Sequence, residues 1–377
     1  MFGNMEIYTL QQYWWIICSV LGALFLFLSF VQGGQSLLWQ VAKSEVEKSL
    51  VVNSLGRKWE LTFTTLVTFG GAMFASFPKF YSTSFGGAYW VWMLILFTFI
   101  VQAVAYEYRK KPNNFLGQKV YELFLFINGT VGILLIGAAV ATFFSGSNFT
   151  LTMFNFVNWT HPLRGVEAAF SLFNLSLGIF LVMNARTLGG LYLLNSIDFS
   201  GLVEFKGRVT KCTFMSFVIS LPFLLYFLIA LLLMSGQQYD DVGVVSIVAN
   251  KYLANLLSMP IVAVMLLAGL VLVILGVYLA KFKSSSRGIW PAGLGTVLVG
   301  LTVFFLAGFN NTPFYPSNVD LNSSLTIRNA SSGHYTLVVM SYVSLLVPFV
   351  LGYIFYFWRK MDGKKLSSSE VTNDKAY

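Results

Sequence analysis

The sequence predicts an all-α polytopic membrane protein of about nine transmembrane helices. Three observations predict it. Of its 377 residues 56% are hydrophobic and only 10% charged, with a mean hydropathy of +0.72, far too apolar for a soluble globular chain. Apolar runs recur at 14–38, 61–80, 88–107, 122–144, 165–184, 212–235, 257–280, 289–309 and 336–358, each near the roughly 20 residues needed for one bilayer crossing. Of the 24 Lys and Arg, 20 fall in the connections after spans 1, 3, 5 and 7 and in the C-terminal tail, and 4 in the other connections. Basic residues stay cytoplasmic, so the N-terminus is expected outside and the C-terminus inside.

The first run has no basic leader or small-residue cleavage site and is expected to remain as a span. It opens with Tyr13-Trp14-Trp15, aromatic rings suited to the headgroup level. It ends in Gln32-Gly33-Gly34-Gln35, where the Gly pair reads as a kink or a close backbone approach more readily than as a ligand site. The connection 43–58, with Glu45, Glu47 and Lys48, reads as a short solvated helical turn. Cys18 and Cys212 belong to opposite membrane faces, so no disulfide between them is expected, and no Cys-rich metal spacing occurs.

The second span has an unusual composition. Glu60, Thr64, Thr68, Gly71 and Ala75 recur at helical spacing and share one small, polar face. Helix packing is the first explanation for the Thr and Gly positions, because small residues let backbones approach in lipid. The sharper one is that a carboxylate at the mouth of a hydroxyl-lined face begins a proton path, since ionisable groups at membrane depth are costly and usually functional. Glu60 also stands where the helix dipole tolerates an anion.

Span 3 closes with Tyr106-Glu107-Tyr108-Arg109-Lys110-Lys111. A salt bridge between Glu107 and Arg109 or a neighbouring helix is the plain expectation. Lying on the same membrane side as Glu60, Glu107 is also a candidate relay. Span 4 contains Gly129, Gly132 and Gly137. The long inner connection 184–211, carrying Arg186, Asp198, Glu204 and Arg208, divides the spans. The expected organisation is 1–185 for the first bundle and helix 5, 186–211 for the inner connection, 212–335 for helices 6 to 8 completing the second bundle, and 336–377 for a peripheral helix and a basic tail. That tail, Ser-rich after its basic residues, is expected to be mobile. The outer loop 310–335 contains Asn322-Ser323-Ser324, a weak match to a glycosylation acceptor.

The blocks Asn53-Ser54-Leu55-Gly56-Arg57-Lys58-Trp59-Glu60, Gly70-Gly71-Ala72-Met73-Phe74-Ala75-Ser76-Phe77-Pro78-Lys79-Phe80-Tyr81 and Tyr106-Glu107-Tyr108-Arg109 resemble subunit II of the cytochrome bd quinol oxidases. The resemblance continues in Trp14-Trp15, in 322–337 and in Trp358-Arg359-Lys360, covering roughly 13–360. It implies a respiratory complex of the bacterial inner membrane that oxidises quinol, reduces dioxygen to water and takes its protons from the cytoplasm. Two b-type haems, one d-type haem and the quinol site are then held by subunit I, and this chain is the haem-free partner, expected as two four-helix bundles plus one peripheral helix. The two histidines, His161 and His334, fall in outer loops, which agrees with that division, since intramembrane haem iron is usually held by helix side chains.

In the family, an acid directly after the Trp of helix 2 is implicated in proton delivery. Here it is Glu60 after Trp59, one methylene longer than the usual Asp. The Gly-Phe-Asp-type motif of helix 1 is replaced by amides, Gln32 and Gln35, which hold water but do not titrate near neutral pH. Thr65 stands where some members have a Trp at a dioxygen entry route, so that route does not carry over.

Three functions are weighed. An oxidase subunit with proton entry through Glu60, Thr64 and Thr68, supported by Trp59, Glu107, Arg109, Gln32 and Gln35, is favoured. A secondary transporter is disfavoured because no span shows a clear charge near its midplane. A structural scaffold differs from the first only at Glu60. The partners implied are subunit I, membrane lipid and quinone, with room for a small accessory subunit. Nucleic acid is excluded because the basic residues are scattered through loops.

Overall fold

The computed structural model describes residues 2–371 and is almost entirely helical. The first rod joins α1 (Ile7–Leu28) to α2 (Phe30–Val41). The joint is Ser29, whose hydroxyl bonds back to the Leu26 carbonyl at 2.6 Å, an interaction that bends helices. Then α3 (Glu45–Gly56) starts in a capping box, Ser44 accepting from the Glu47 N–H while the Glu47 carboxylate accepts from the Ser44 N–H. The next helix, α4 (Trp59–Ser76), stops one residue before Phe77-Pro78, where α5 (Pro78–Tyr81) begins, as expected from the bias of a pre-proline residue against helix.

A π-helical turn (Ser82–Gly87) leads to α6 (Tyr89–Tyr108). The returning rod is α7 (Gln118–Ile127), a second π-helical turn (Asn128–Gly132) and α8 (Ile133–Ser145). A small antiparallel hairpin, β1 (Phe149–Leu151) with β2 (Val157–Trp159), precedes α9 (Leu172–Ser196) and α10 (Val203–Leu233). A second hairpin, β3 (Gly236–Tyr239) with β4 (Val245–Val248), leads to α11 (Lys251–Ser258), α12 (Pro260–Phe282) and α13 (Ile289–Gly308). The last pair is α14 (His334–Ser344) and α15 (Val347–Met361).

Among the described residues, eight helical segments are long and apolar enough to cross a membrane. The ninth expected span is α4, whose 18 residues include Glu60 and several Thr. One bundle is built from the α1–α2 rod, α4, α6 and the α7–α8 rod, and a second from α9, α10, α12 and α13. They join where α9 packs on α2 and α8, and α13 on α1. The α14–α15 segment is peripheral, with only 17% of its apolar stretch buried.

The Gly33-Gly34 pair is a close approach. A Cβ on Gly33 would lie 1.8 Å from the Ala185 carbonyl oxygen, and one on Gly189 would lie 2.2 Å from the Gly34 nitrogen. Small residues let these backbones meet, as in other membrane helix crossings.

Three expectations change. The connection 43–58, expected as a short solvated helical turn, holds the 12-residue α3, which is buried from Ser49 to Gly56. The fifth span, read at 165–184, runs instead from Leu172 to Ser196, so Arg186 is inside a helix and not in a loop. Its polar groups find partners within the protein and do not end the helix. The tail is docked through Val371, while 372–377 lie outside the described residues. Leu366 pairs with Ile197 in a parallel bridge, donating its N–H to the Ser196 carbonyl at 2.8 Å and accepting from the Asp198 N–H at 2.9 Å. Leu366 and Val371 are buried.

Candidate functional site

Inward-facing residues of α4 fix its rotation. Phe69 and Met73 are buried in the core, and Thr62 donates to the Leu28 carbonyl at 3.1 Å. The opposite face presents Glu60, Thr64, Thr68 and Gly71, all exposed, with Ala75 half-buried above them. The Thr68 hydroxyl donates to the Thr64 carbonyl at 2.7 Å, so its lone pairs point outward as acceptors. Among the described residues no cation pairs with Glu60. Val67 and Phe74 on the same helix are exposed apolar side chains.

Trp59, just before the acid, stacks on Tyr106 with ring centroids 5.8 Å apart and planes 13° from parallel. Tyr106 in turn accepts from Gln35 Nε2 at 2.9 Å. The fold therefore links Trp59 and Gln35 through one phenol. Gln32 is fully buried one turn earlier on α2.

Glu107 and Arg109 separate. Glu107 is exposed and pairs with Lys111 at 3.1 Å, whereas Arg109 is fully buried. The Arg109 guanidinium donates twice to Glu122 Oε1, at 2.8 and 3.2 Å, and once to Glu45 at 3.2 Å. Lys48 bridges the same two carboxylates at 3.0 and 3.2 Å, and Trp39 Nε1 donates to Glu122 Oε2 at 2.9 Å. Two cations balance two anions, so the cluster fastens α2, α3, α6 and α7 without net charge. Sequence reasoning missed Glu122 because an acid at the edge of an apolar run reads as a boundary. The available signal was its place across a short loop from Arg109.

The turn entering α4 is fixed from below. Lys58 is fully buried, 3.0 Å from Asp362 and 4.9 Å from the centre of the Trp358 ring. Burial pulls its ammonium below the ordinary lysine value, opposed by the Asp362 charge. The Tyr192 hydroxyl donates to the same carboxylate at 3.4 Å, and Arg57 reaches Glu370 at 3.3 Å. Arg186, also buried, donates to the Ser36 carbonyl and hydroxyl at 3.0 and 3.2 Å, to the Ser216 hydroxyl at 3.4 Å and to the Gln40 amide oxygen. None of these acceptors is a carboxylate.

His161 lies between β2 and α9, and His334 is the first residue of α14. His161 pairs with Glu167 at 3.5 Å and His334 with the Met5 carbonyl at 2.9 Å, both at the hairpin end. Among the described residues no group of three or more His, Cys, Asp or Glu is placed to hold a metal ion.

The family described as cytochrome bd terminal oxidase subunit II matches residues 10–361. The chain is 26% identical to the cytochrome bd-I ubiquinol oxidase subunit 2 of Escherichia coli (strain K12), over 93% of this chain and 94% of that protein. It is also 26% identical to the cytochrome bd ubiquinol oxidase subunit 2 of Bacillus subtilis (strain 168), over 93% and 96% respectively. The fold is similar to a chain of the bd oxidase from Geobacillus thermodenitrificans, with a TM-score of 0.61 at 16% identity, covering 95% of this chain and 100% of that one.

Proposed function

This chain belongs to the subunit II family of cytochrome bd terminal oxidases, and from that premise we propose that it is the haem-free partner of a haem-bearing subunit I, and that it gives the complex a proton entry at Glu60. The complex is a respiratory quinol:oxygen oxidoreductase of the bacterial inner membrane. Subunit I supplies two b-type haems, one d-type haem and the quinol site. The end carrying α3 and the tail faces the cytoplasm, which sets the N-terminus outside, in keeping with the basic residues gathered there.

The observation that carries the reading is the exposed strip of Glu60, Thr64 and Thr68 on α4. An acid in the middle of a membrane helix costs about 2.5–3.5 kcal/mol against lipid, and less near the helix end. A face of this composition is better matched by protein and water than by lipid. Subunit I covers it and converts an open strip into a lined path. Glu60 then exchanges protons with cytoplasmic water at the path's mouth. The Thr68 hydroxyl donates its hydrogen bond to the Thr64 backbone carbonyl and offers acceptor lone pairs to water beside it. Trp59, held by Tyr106, and Lys58, held by Asp362, set where the Glu60 carboxylate stands.

The test is quinol-dependent oxygen uptake by the purified complex carrying Glu60→Gln or Glu60→Asp. Glu60→Gln is expected to abolish most turnover with haem content intact, and Glu60→Asp to retain it. Full turnover in Glu60→Gln would leave the chain as a scaffold. Copurification of haem signals only with a second polypeptide is the companion result expected.

A further inference from the structure

The interior of the first bundle holds a column of amides that takes no part in the exposed α4 face. Gln32 and Gln35 occupy successive turns of α2, Gln102 lies on α6 between Thr98 and Tyr106, and Asn128 opens the second π-helical turn. Gln35 is 1% exposed and the other three 0%. Neighbouring contacts bring these turns together. Asn128 Nδ2 donates to Thr98 Oγ1 at 3.3 Å, and Gln35 donates to Tyr106. A Cβ on Gly129 would lie 2.3 Å from the Gln32 carbonyl, and one on Gly132 would lie 2.5 Å from Thr98 Oγ1.

Both amide atoms of Gln32 and of Gln102, with the amide oxygens of Gln35 and Asn128, have no hydrogen-bond partner in the protein. Buried polar groups are almost always paired, and leaving this many unpaired would cost a large part of a domain's stability. The π-helical turn belongs to the same arrangement, since such turns recur at functional sites. The unpartnered set includes donors and acceptors, and among the described residues no carboxylate is hydrogen-bonded to any of the four amides. Arg186, on Ser36 of the adjacent α2 turn, brings positive charge that disfavours a metal cation. The ligand that matches is neutral and both donates and accepts.

We propose that this column binds a file of ordered water, and that the file reaches Trp59 and thereby the Glu60 face. At its outer end Ile95, Phe99 and Ile133 close the bundle with buried apolar side chains. At its inner end it passes Tyr106, on which Trp59 stacks, and Trp59 Nε1 is itself buried without a protein partner. The result is a blind hydrated well beside the proton entry, where relayed protons are accommodated by water and not by the amides. The link to proton supply rests on the Glu60 reading; the water site does not.

The test uses the intact oxidase complex. A high-resolution cryo-EM map is expected to show water within hydrogen-bond distance of Gln32, Gln102 and Asn128. Amides paired with each other in a dry interior would overturn the site. In Gln102→Leu and the closer-fitting Gln102→Met, compared at equal haem content, the water density is expected to be lost. Turnover is expected to fall, and to fall further as pH rises and protons become scarce. Unchanged turnover at every pH would break the link to Glu60. If a variant fails to assemble, the map of the unsubstituted complex decides. Glu60→Gln measured in parallel separates the two ideas: full turnover there sinks the proton entry and leaves the site to be judged by the map, whereas lost turnover with a dry interior sinks the site alone.

Discussion

The Lys58 ammonium lies 3.0 Å from the Asp362 carboxylate, so the turn that enters α4 is tied to the residue that closes α15. With Lys58 fully buried and Asp362 only 10% exposed, this is an interior pair. Its main effect is positional, because Lys58 is two residues before Glu60.

Removing one partner of a buried pair leaves an uncompensated charge, at about 3–5 kcal/mol. Asp362→Asn is therefore expected to lower the melting temperature of the purified complex. Lys58→Met added to that variant is expected to recover most of the loss. Equal melting of the single and double variants would show that the two residues are not coupled.

Glu122→Gln is expected to destabilise the bundle by about 3 kcal/mol, because it strips the principal counter-charge from Arg109. Glu45, 62% exposed, compensates little. Arg109→Lys is expected to be nearly as damaging, since an ammonium lacks the planar fork that meets Glu122 and Glu45 together. Thermal unfolding of the three proteins checks the order.

Burial opposes ionisation of Glu47, but hydrogen bonds from the Lys43 backbone N–H, Arg208 and the Ser44 N–H outweigh it and hold its carboxyl below the ordinary value of 4.5. A depressed carboxyl stabilises the fold fully above its unfolded value and loses that contribution as pH falls through its folded one. Glu47→Gln is expected to cost about 1 kcal/mol at neutral pH, the scale of a helix cap. The difference from the unsubstituted protein is expected to close as pH drops well below 4.5. Melting curves across that range check the sign.

Gly33→Ala and Gly71→Leu are expected to fail differently. The first forces a methyl into the Ala185 carbonyl and is expected to prevent α2 from seating on α9. The second meets nothing within 4 Å in this chain, so folding is expected to survive while association with subunit I weakens. Copurification of the two subunits, set against the amount of this one, separates the outcomes.

Much of this was legible in the sequence. The apolar runs, the α4 polar face and the Gly33-Gly34 approach follow from spacing and residue size alone. What was not legible depends on partners distant along the chain. Arg186 reads as a loop residue until Ser36 and Gln40 of α2 and Ser216 of α10 are seen to receive it. Glu122 reads as a span edge until Arg109 folds back on it, and the Ser-rich tail reads as free until Ile197 offers it an edge. Glu107, the more conspicuous acid, is two residues from Arg109 and so faces another side of the helix, where it pairs with Lys111.

The Lys58–Asp362 contact also has a temporal side. A ribosome releases Lys58 long before it has made Asp362, so the α4 threshold stays unlatched until translation has passed α15. A truncated product ending before that aspartate leaves the Lys58 ammonium without its carboxylate partner. Passage of translation through α15 is thus written into the local stability of the turn that enters α4.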